Sequence, residues 1–172
     1  MSADVTVRRL RADDAPSFKA IRLEALKATP ELFGSTFELE DGLDVAWFAS
    51  RLEDAHVLGA FQDGELVGTA GFSIQQGPKN AHKGRLWGMY VRSSSRKLGL
   101  GRLLVTALLD IARERVELVQ LTVVSDNGPA RRLYDSLGFV ELGMEPKASK
   151  YGDQYCDEAH MALDFSRAPD LA

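Results

Sequence analysis

Apolar and polar positions alternate over 5–10, where Val5, Val7 and Leu10 interleave with Thr6, Arg8 and Arg9, and this predicts an opening strand. The period then lengthens. Phe18, Ile21, Ala25 and Leu26 recur at helical spacing, with Asp13 or Asp14 available as a cap, Pro16 near the first turn and Thr29-Pro30 as a stop. Residues 30–44 are mixed and carry Phe33, Phe37, Glu38 and Glu40; a second helix is predicted over 45–52, with Trp47 and Phe48. Short apolar runs follow. Strands are expected at 57–61 and 66–74, joined by a hairpin turn at Asp63-Gly64, and at 84–92 after a Gly77-Pro78 break. Leu103, Leu104, Ala107, Leu108 and Ile111 predict a long helix over 100–116. A buried strand at 118–124, a helix at 129–137 and strands at 139–144 and 158–165 complete the series. The order β-α-α-β-β-β-α-β-α-β-β predicts an α/β (α+β) fold, a mixed sheet with helices packed on it. With no repeat and no long linker, 1–172 reads as one domain.

Composition narrows this little, but it excludes some functions. A chain of 172 residues, 45% hydrophobic and 27% charged, is an ordinary soluble domain that needs no staple. The net charge of -4, without long runs of one sign, argues against a nucleic-acid partner. Cys156 is the single cysteine and reads as a half-buried strand residue. The start, Met1-Ser2-Ala3-Asp4-Val5, lacks the basic and apolar regions of a signal peptide, and no apolar run approaches the roughly 20 residues of a membrane span. A cytoplasmic protein without membrane contact is expected. His56, His82 and His160 lack metal-ligand spacing, so no metal is expected.

One loop carries candidate chemistry. Between the strand at 84–92 and the helix at 100–116 lie Ser93-Ser94-Ser95-Arg96-Lys97-Leu98-Gly99-Leu100-Gly101-Arg102. Glycines and small residues let backbone N–H groups approach an anion, and a helix start adds unpaired donors and a positive dipole end. Arg92, Arg96, Lys97 and Arg102 add cations. The physical reading is a diphosphate site; the alternative is a solvated basic turn. The Gly-Lys-Ser/Thr ending of a nucleotide P-loop and the three-glycine dinucleotide fingerprint are both absent.

Arg96-x-x-Gly99-x-Gly101 resembles the R/Q-x-x-G-x-G/A pattern with which the GNAT superfamily of acyl-CoA N-acyltransferases binds the CoA pyrophosphate. A second signature of that family is matched by Asn127-x-x-Ala130-x-x-Leu133-Tyr134-x-x-x-Gly138-Phe139. The resemblance spans about residues 5–165. It implies a twisted, mostly antiparallel sheet of six to seven strands with about four helices, acetyl-CoA as co-substrate, a primary amine as acceptor, and a homodimer.

The resemblance also implies roles. The cofactor's diphosphate would meet the amides of Lys97, Leu98, Gly99, Leu100, Gly101 and Arg102, and Arg96, Asn127, Ala130 and Tyr134 would complete the cofactor site. A backbone N–H at Met89, Tyr90 or Val91 would face the thioester carbonyl. Tyr134 would protonate the departing sulfur; the alternative is a tyrosine packed on the sheet. Asn127 would bind pantetheine amides, cap the following helix, or both. Arg131 and Arg132 either reach the adenosine 3′-phosphate or are solvated. Phe33, Phe37 and Trp87 would line the acceptor side, with Glu38 or Glu40 as base unless these form an exposed acidic face. Tyr151 lies in the segment 150–155, expected as a loop near the acceptor mouth. The favoured acceptor is a small amine such as an amino acid or amino-acid-like compound. A peptide or protein N-terminus comes second, and a non-catalytic acyl-CoA sensor belongs to a different class. A toxin acting on aminoacyl-tRNA is disfavoured by the net charge.

Overall fold

The computed structural model describes residues 4–167. The chain start, read above as lacking a leader, and the end of the 1–172 domain lie outside them. Seven strands form one sheet: β1 (Val5–Arg9), β2 (His56–Gln62), β3 (Glu65–Ile74), β4 (Lys83–Val91), β5 (Leu118–Val124), β6 (Val140–Tyr151) and β7 (Gln154–Asp164). Five helices accompany them: α1 (Ala15–Ala28), α2 (Phe37–Asp41), α3 (Val45–Asp54), α4 (Leu100–Arg113) and α5 (Gly128–Ser136). The strand order is β1-β2-β3-β4-β5-β7-β6, antiparallel except at β4–β5.

Alternation along the strands sorts side chains onto two faces. Leu58, Phe72 and Leu86 point to the face covered by α4 and α5, where they meet Leu104, Leu108, Tyr134 and Phe139. Val57, Leu66 and Tyr90 point to the other, against Phe18 and Ile21 of α1 and Phe48 and Leu52 of α3. In β4 this alternation breaks. Trp87 and Tyr90 share a face although an odd number of steps separates them, because the ladder to β3 slips between Thr69 and Gly71. One extra residue in β4 makes a bulge. Gly88 sits in it at φ 63°, a left-handed conformation that costs a residue with a Cβ about 1–2 kcal/mol.

The parallel pairing of β4 with β5 covers only Lys83, Gly84 and Arg85 against Leu118, Val119 and Gln120. Beyond those residues the two strands have no ladder contact, and the sheet opens between them.

Several boundaries differ from the sequence expectation. The mixed stretch after Pro30 contains α2, a fifth helix, started by Thr36, whose Oγ1 accepts from the Leu39 amide at 3.2 Å. Its five residues are too few to show a helical period. Asp14 stands at the N-cap of α1 but makes no side-chain cap; its carboxylate instead accepts from Arg8 at 2.9 Å and from the Arg11 amide at 2.8 Å. The expected loop over 150–155 shrinks to a turn at Gly152 and Asp153, because β6 and β7 continue as a hairpin with Tyr151 opposite Gln154. Both strands there are largely exposed, so no apolar alternation announces them. Cys156 is half-buried in β7, as expected.

Candidate active site

A cleft of about 590 Å³ runs through the opening between β4 and β5. Leu86 to Val91 form one wall, and Leu121 to Val124 with Asn127, Ala130, Leu133 and Tyr134 form the other. One end is polar, with Arg96, Lys97, Gly99, Gly101 and Arg102. At the other end Thr29, Leu32, Phe33 and Trp87 supply mostly apolar surface.

The polar end is built from main chain. Lys97 at φ 69° and Gly99 at φ 75° both adopt the left-handed conformation, and Gly99 is the N-cap of α4. Successive amides turned this way form an anion-binding concavity. Thr36, Asp44 and Asn127 cap α2, α3 and α5 with side-chain oxygens, but no side chain caps α4. Its first ladder bond is Leu103 to the Gly99 carbonyl at 3.1 Å, which leaves the donors of Leu100, Gly101 and Arg102 without a helical acceptor. Leu98 and Leu100 do not line the cleft; the first is exposed and the second buried.

The side-chain cations expected in this loop are mostly engaged. Arg92 pairs with Glu24 at 2.9 Å and with Glu65, so it is not a free cation. Arg96 donates from Nε to the Val91 carbonyl at 3.0 Å and lies over the Tyr90 ring, and Arg102 donates to Ser136 Oγ. Arg131, read as a phosphate ligand or a solvated residue, instead ties the Ser125 carbonyl to Glu141. Arg132 is exposed.

Tyr134 is buried against Phe139, ring centroids 5.7 Å apart, and lines the cleft. Its hydroxyl makes no hydrogen bond to another described residue. Burial pushes its pKa up to about 12, so the phenol is neutral and keeps its proton. Asn127 Oδ1 accepts from the Ala130 amide at 3.3 Å, the cap the sequence allows, while its amide nitrogen remains available to the cleft.

At the apolar end the two carboxylate candidates fare differently. Glu40 is buried and held by two hydrogen bonds of 2.9 Å from Arg22 Nε and Nη2. Desolvation alone would raise its pKa, but the Arg22 hydrogen bonds and charge, helped by Ser35, hold it below the usual carboxylate range. A carboxylate so stabilised is a poor proton acceptor, which corrects its reading as a base. Glu38 is exposed on α2 and does not line the cleft. Phe33 and Trp87 line it; Phe37, beneath the Lys27 ammonium, and Tyr151, 53% exposed in β6, do not.

Arg22 escaped the sequence reading. It follows Phe18 by four and precedes Ala25 by three, on the inward stripe of α1, and a charge on that stripe was the available signal. Among the described residues no group of three or more His, Cys, Asp or Glu is placed to hold a metal. No described helix is long and apolar enough to cross a membrane.

Known proteins resemble this chain in sequence and in fold. The profile described as "Acetyltransferase (GNAT) family" matches residues 19–139. The L-amino acid N-acetyltransferase AaaT of Escherichia coli is 28% identical over 165 residues, covering 93% of this chain and 98% of its own. The N-alpha-acetyltransferase RimI of Mycobacterium tuberculosis is 39% identical over 117 residues, covering 66% of this chain and 72% of its own. A structure of yncA from Salmonella typhimurium, solved with its cofactor acetyl-CoA, superposes with a TM-score of 0.82 at 24% identity, covering 98% of this chain and 99% of that one. The chain belongs to the GNAT acetyltransferase family and is an acetyl-CoA-dependent N-acetyltransferase.

Proposed function

We propose that the acceptor is the α-amino group of a free amino acid or amino-acid-like compound, and that transfer is direct, in a ternary complex. One observation carries this reading: the cleft passes between β4 and β5, so a donor held by α4 on one side can meet an amine entering past Phe33 and Trp87 on the other. The amides of residues 97–102 hold the diphosphate. In β4, Gly88 and Met89 have no ladder partner in β3 or β5, which favours the Met89 amide, of the three expected, as the donor to the thioester oxygen. Such a preorganised donor contributes roughly 3 kcal/mol. Tyr134 holds the proton that the leaving thiolate takes, and its desolvated phenol surrenders it only to a developing anion. Asn127 offers its side-chain amide to the pantetheine.

The state of the carboxylates supports the α-amine. With Glu40 committed to Arg22 and Glu38 outside the cleft, no strong base faces the acceptor among the described residues. A lysine-like amine, of pKa about 10.4, costs roughly 4.6 kcal/mol to deprotonate at pH 7 and a peptide α-amine near 7.8 only about 1; the α-amine of a free amino acid, held beside its own carboxylate, lies between them. Water therefore suits an α-amine better than a lysine-like one. A peptide or protein N-terminus has the more easily deprotonated α-amine and is the runner-up, favoured also by the likeness to RimI. Mass spectrometry of acetyl-CoA reactions with free amino acids and with short peptides separates the two. Product on amino acids alone is expected, and silence with every α-amine would sink the reading.

A homodimer is part of the same proposal. β6 is an edge strand that leaves Val140 and Leu142 each 61% exposed and Met144 41% exposed, a surface suited to a second copy. Sedimentation should show a dimer that Leu142→Lys converts to monomer; a monomeric parent protein would remove this part.

A further inference from the structure

Beside the cleft, on the α1 and α3 face of the sheet, lies a depression of about 290 Å³ whose lining includes Trp47, Arg51, Asp54, Ser73 and Trp87. Trp87 lines both spaces, so the depression adjoins the cleft at this ring. The Arg51 guanidinium carbon stands 4.2 Å from the centroid of the Trp87 ring and 5.4 Å from that of Trp47. Stacking of this kind covers the faces of a guanidinium and leaves its edge donors unused. The Arg51 side chain makes no hydrogen bond and no ion pair with any described residue. Its nearest candidates are committed or out of reach. Both oxygens of Glu40 are taken by Arg22, and Asp54, exposed one turn further along α3, forms no ion pair with it. Arg22, Glu40 and Arg51 therefore form a cluster with one positive charge in excess. Ser73 adds a second donor: its Oγ accepts from Trp87 Nε1 at 2.8 Å, so its own proton is free to turn into the depression.

We propose that Arg51, assisted by the Ser73 hydroxyl, is a carboxylate subsite that selects amino acids over simple amines. A flat guanidinium with free edge donors matches a carboxylate in two parallel hydrogen bonds. The proposal rests on the reading of the acceptor as a carboxylate-bearing α-amine and gives that reading its recognition residue. Arg51 is a specificity residue; it takes no part in the proton or acyl transfer.

The chain has two tryptophans, and both flank Arg51, so their emission reports occupancy of the subsite without any turnover. Intact protein with CoA present is titrated with L-methionine, L-phenylalanine and L-glutamine, each paired with its carboxamide. Saturable quenching or enhancement is expected with at least one free acid, at a concentration about 10- to 100-fold below that needed for its amide. In Arg51→Gln the acid should bind as weakly as the amide, and in Ser73→Ala its affinity should fall several-fold. Where an acceptor is turned over, Arg51→Gln should raise its KM and leave the KM for acetyl-CoA unchanged, a split that a merely structural arginine would not give. Acids and amides binding alike, no saturable signal with any acid, or an Arg51→Gln protein that binds CoA normally and keeps its preference for the acid would each overturn the proposal. Failure of the acetyl-transfer reading looks different: the emission titration still discriminates acid from amide while no amine is acetylated.

Discussion

At the polar end of the cleft the lining comes from one loop and helix start, Arg96, Lys97, Gly99, Gly101 and Arg102, shaped by two left-handed residues and the uncapped start of α4. At the other end they are the side chains of Phe33 and Trp87, backed by Arg22 over the first ring, Arg51 over the second and Glu40 paired with Arg22, from α1, α3 and α2. The first end depends on local conformation and little on which side chains are present. The second depends on buried charges balancing one another across three helices. Substitutions should therefore act on the two ends through different quantities, ligand affinity at one and folding stability at the other.

The largest expected effect breaks the side-chain end. Glu40→Ala leaves Arg22 buried without its partner, in a pair whose side chains are only 12% and 7% exposed, and should cost about 3–5 kcal/mol in urea unfolding. The same pair sets an acid limit. Because the folded pKa of Glu40 lies below its ordinary value of 4.5, its stabilisation is complete above that value and is lost as the pH falls through the lowered one. Unfolding followed below about pH 4.5 should show this loss in the parent protein, with a shallower fall in a variant lacking both members of the pair.

Next comes Tyr134→Phe, at the junction of the two ends. It should lower kcat about 10²- to 10³-fold in steady-state assays while leaving the KM for acetyl-CoA nearly unchanged. With the phenol pKa near 12, kcat should also show no alkaline fall from this group up to about pH 10. An unchanged kcat in the Phe variant would return Tyr134 to a packing role.

Gly99→Ala tests the main-chain end. Forcing a Cβ into φ 75° costs about 1–2 kcal/mol, and calorimetry should show acetyl-CoA binding about tenfold weaker, with the melting temperature shifted by only a few degrees. If stability fell while affinity held, the contrast between the ends would be wrong. The smallest effect is expected from Glu65→Gln, which removes an exposed partner of Arg92, 72% accessible, and should change stability by less than about 1 kcal/mol in the same unfolding assay.

The main-chain end was legible because its requirements are local. Gly99 and Gly101, eight and ten residues past Val91 at the end of the strand ahead, are readable as a motif, and Asn127 to Phe139 repeat that advantage. The fold was legible wherever one face of an element is buried: α4, with Leu104, Leu108 and Ala112 inward, fell where its period put it. β6 and β7 beyond Met144 were not, since both sides of that hairpin meet solvent and alternation has nothing to report. The acceptor end was the least legible. Arg22 and Glu40 are 18 residues apart and meet only through the packing of α1 and α2, and Arg51 lies on a third helix. Charges read singly along the chain look like solvated surface; only their burial shows which are committed to one another and which is left over.

The short pairing of β4 with β5 has a mechanical consequence. Three residue pairs are all the ladder that joins the four strands on one side of the opening to the three on the other. A ligand that reaches both walls acts as a splint across this seam, so filling the cleft should slow amide exchange in the facing segments 86–91 and 121–124 more than elsewhere in the sheet.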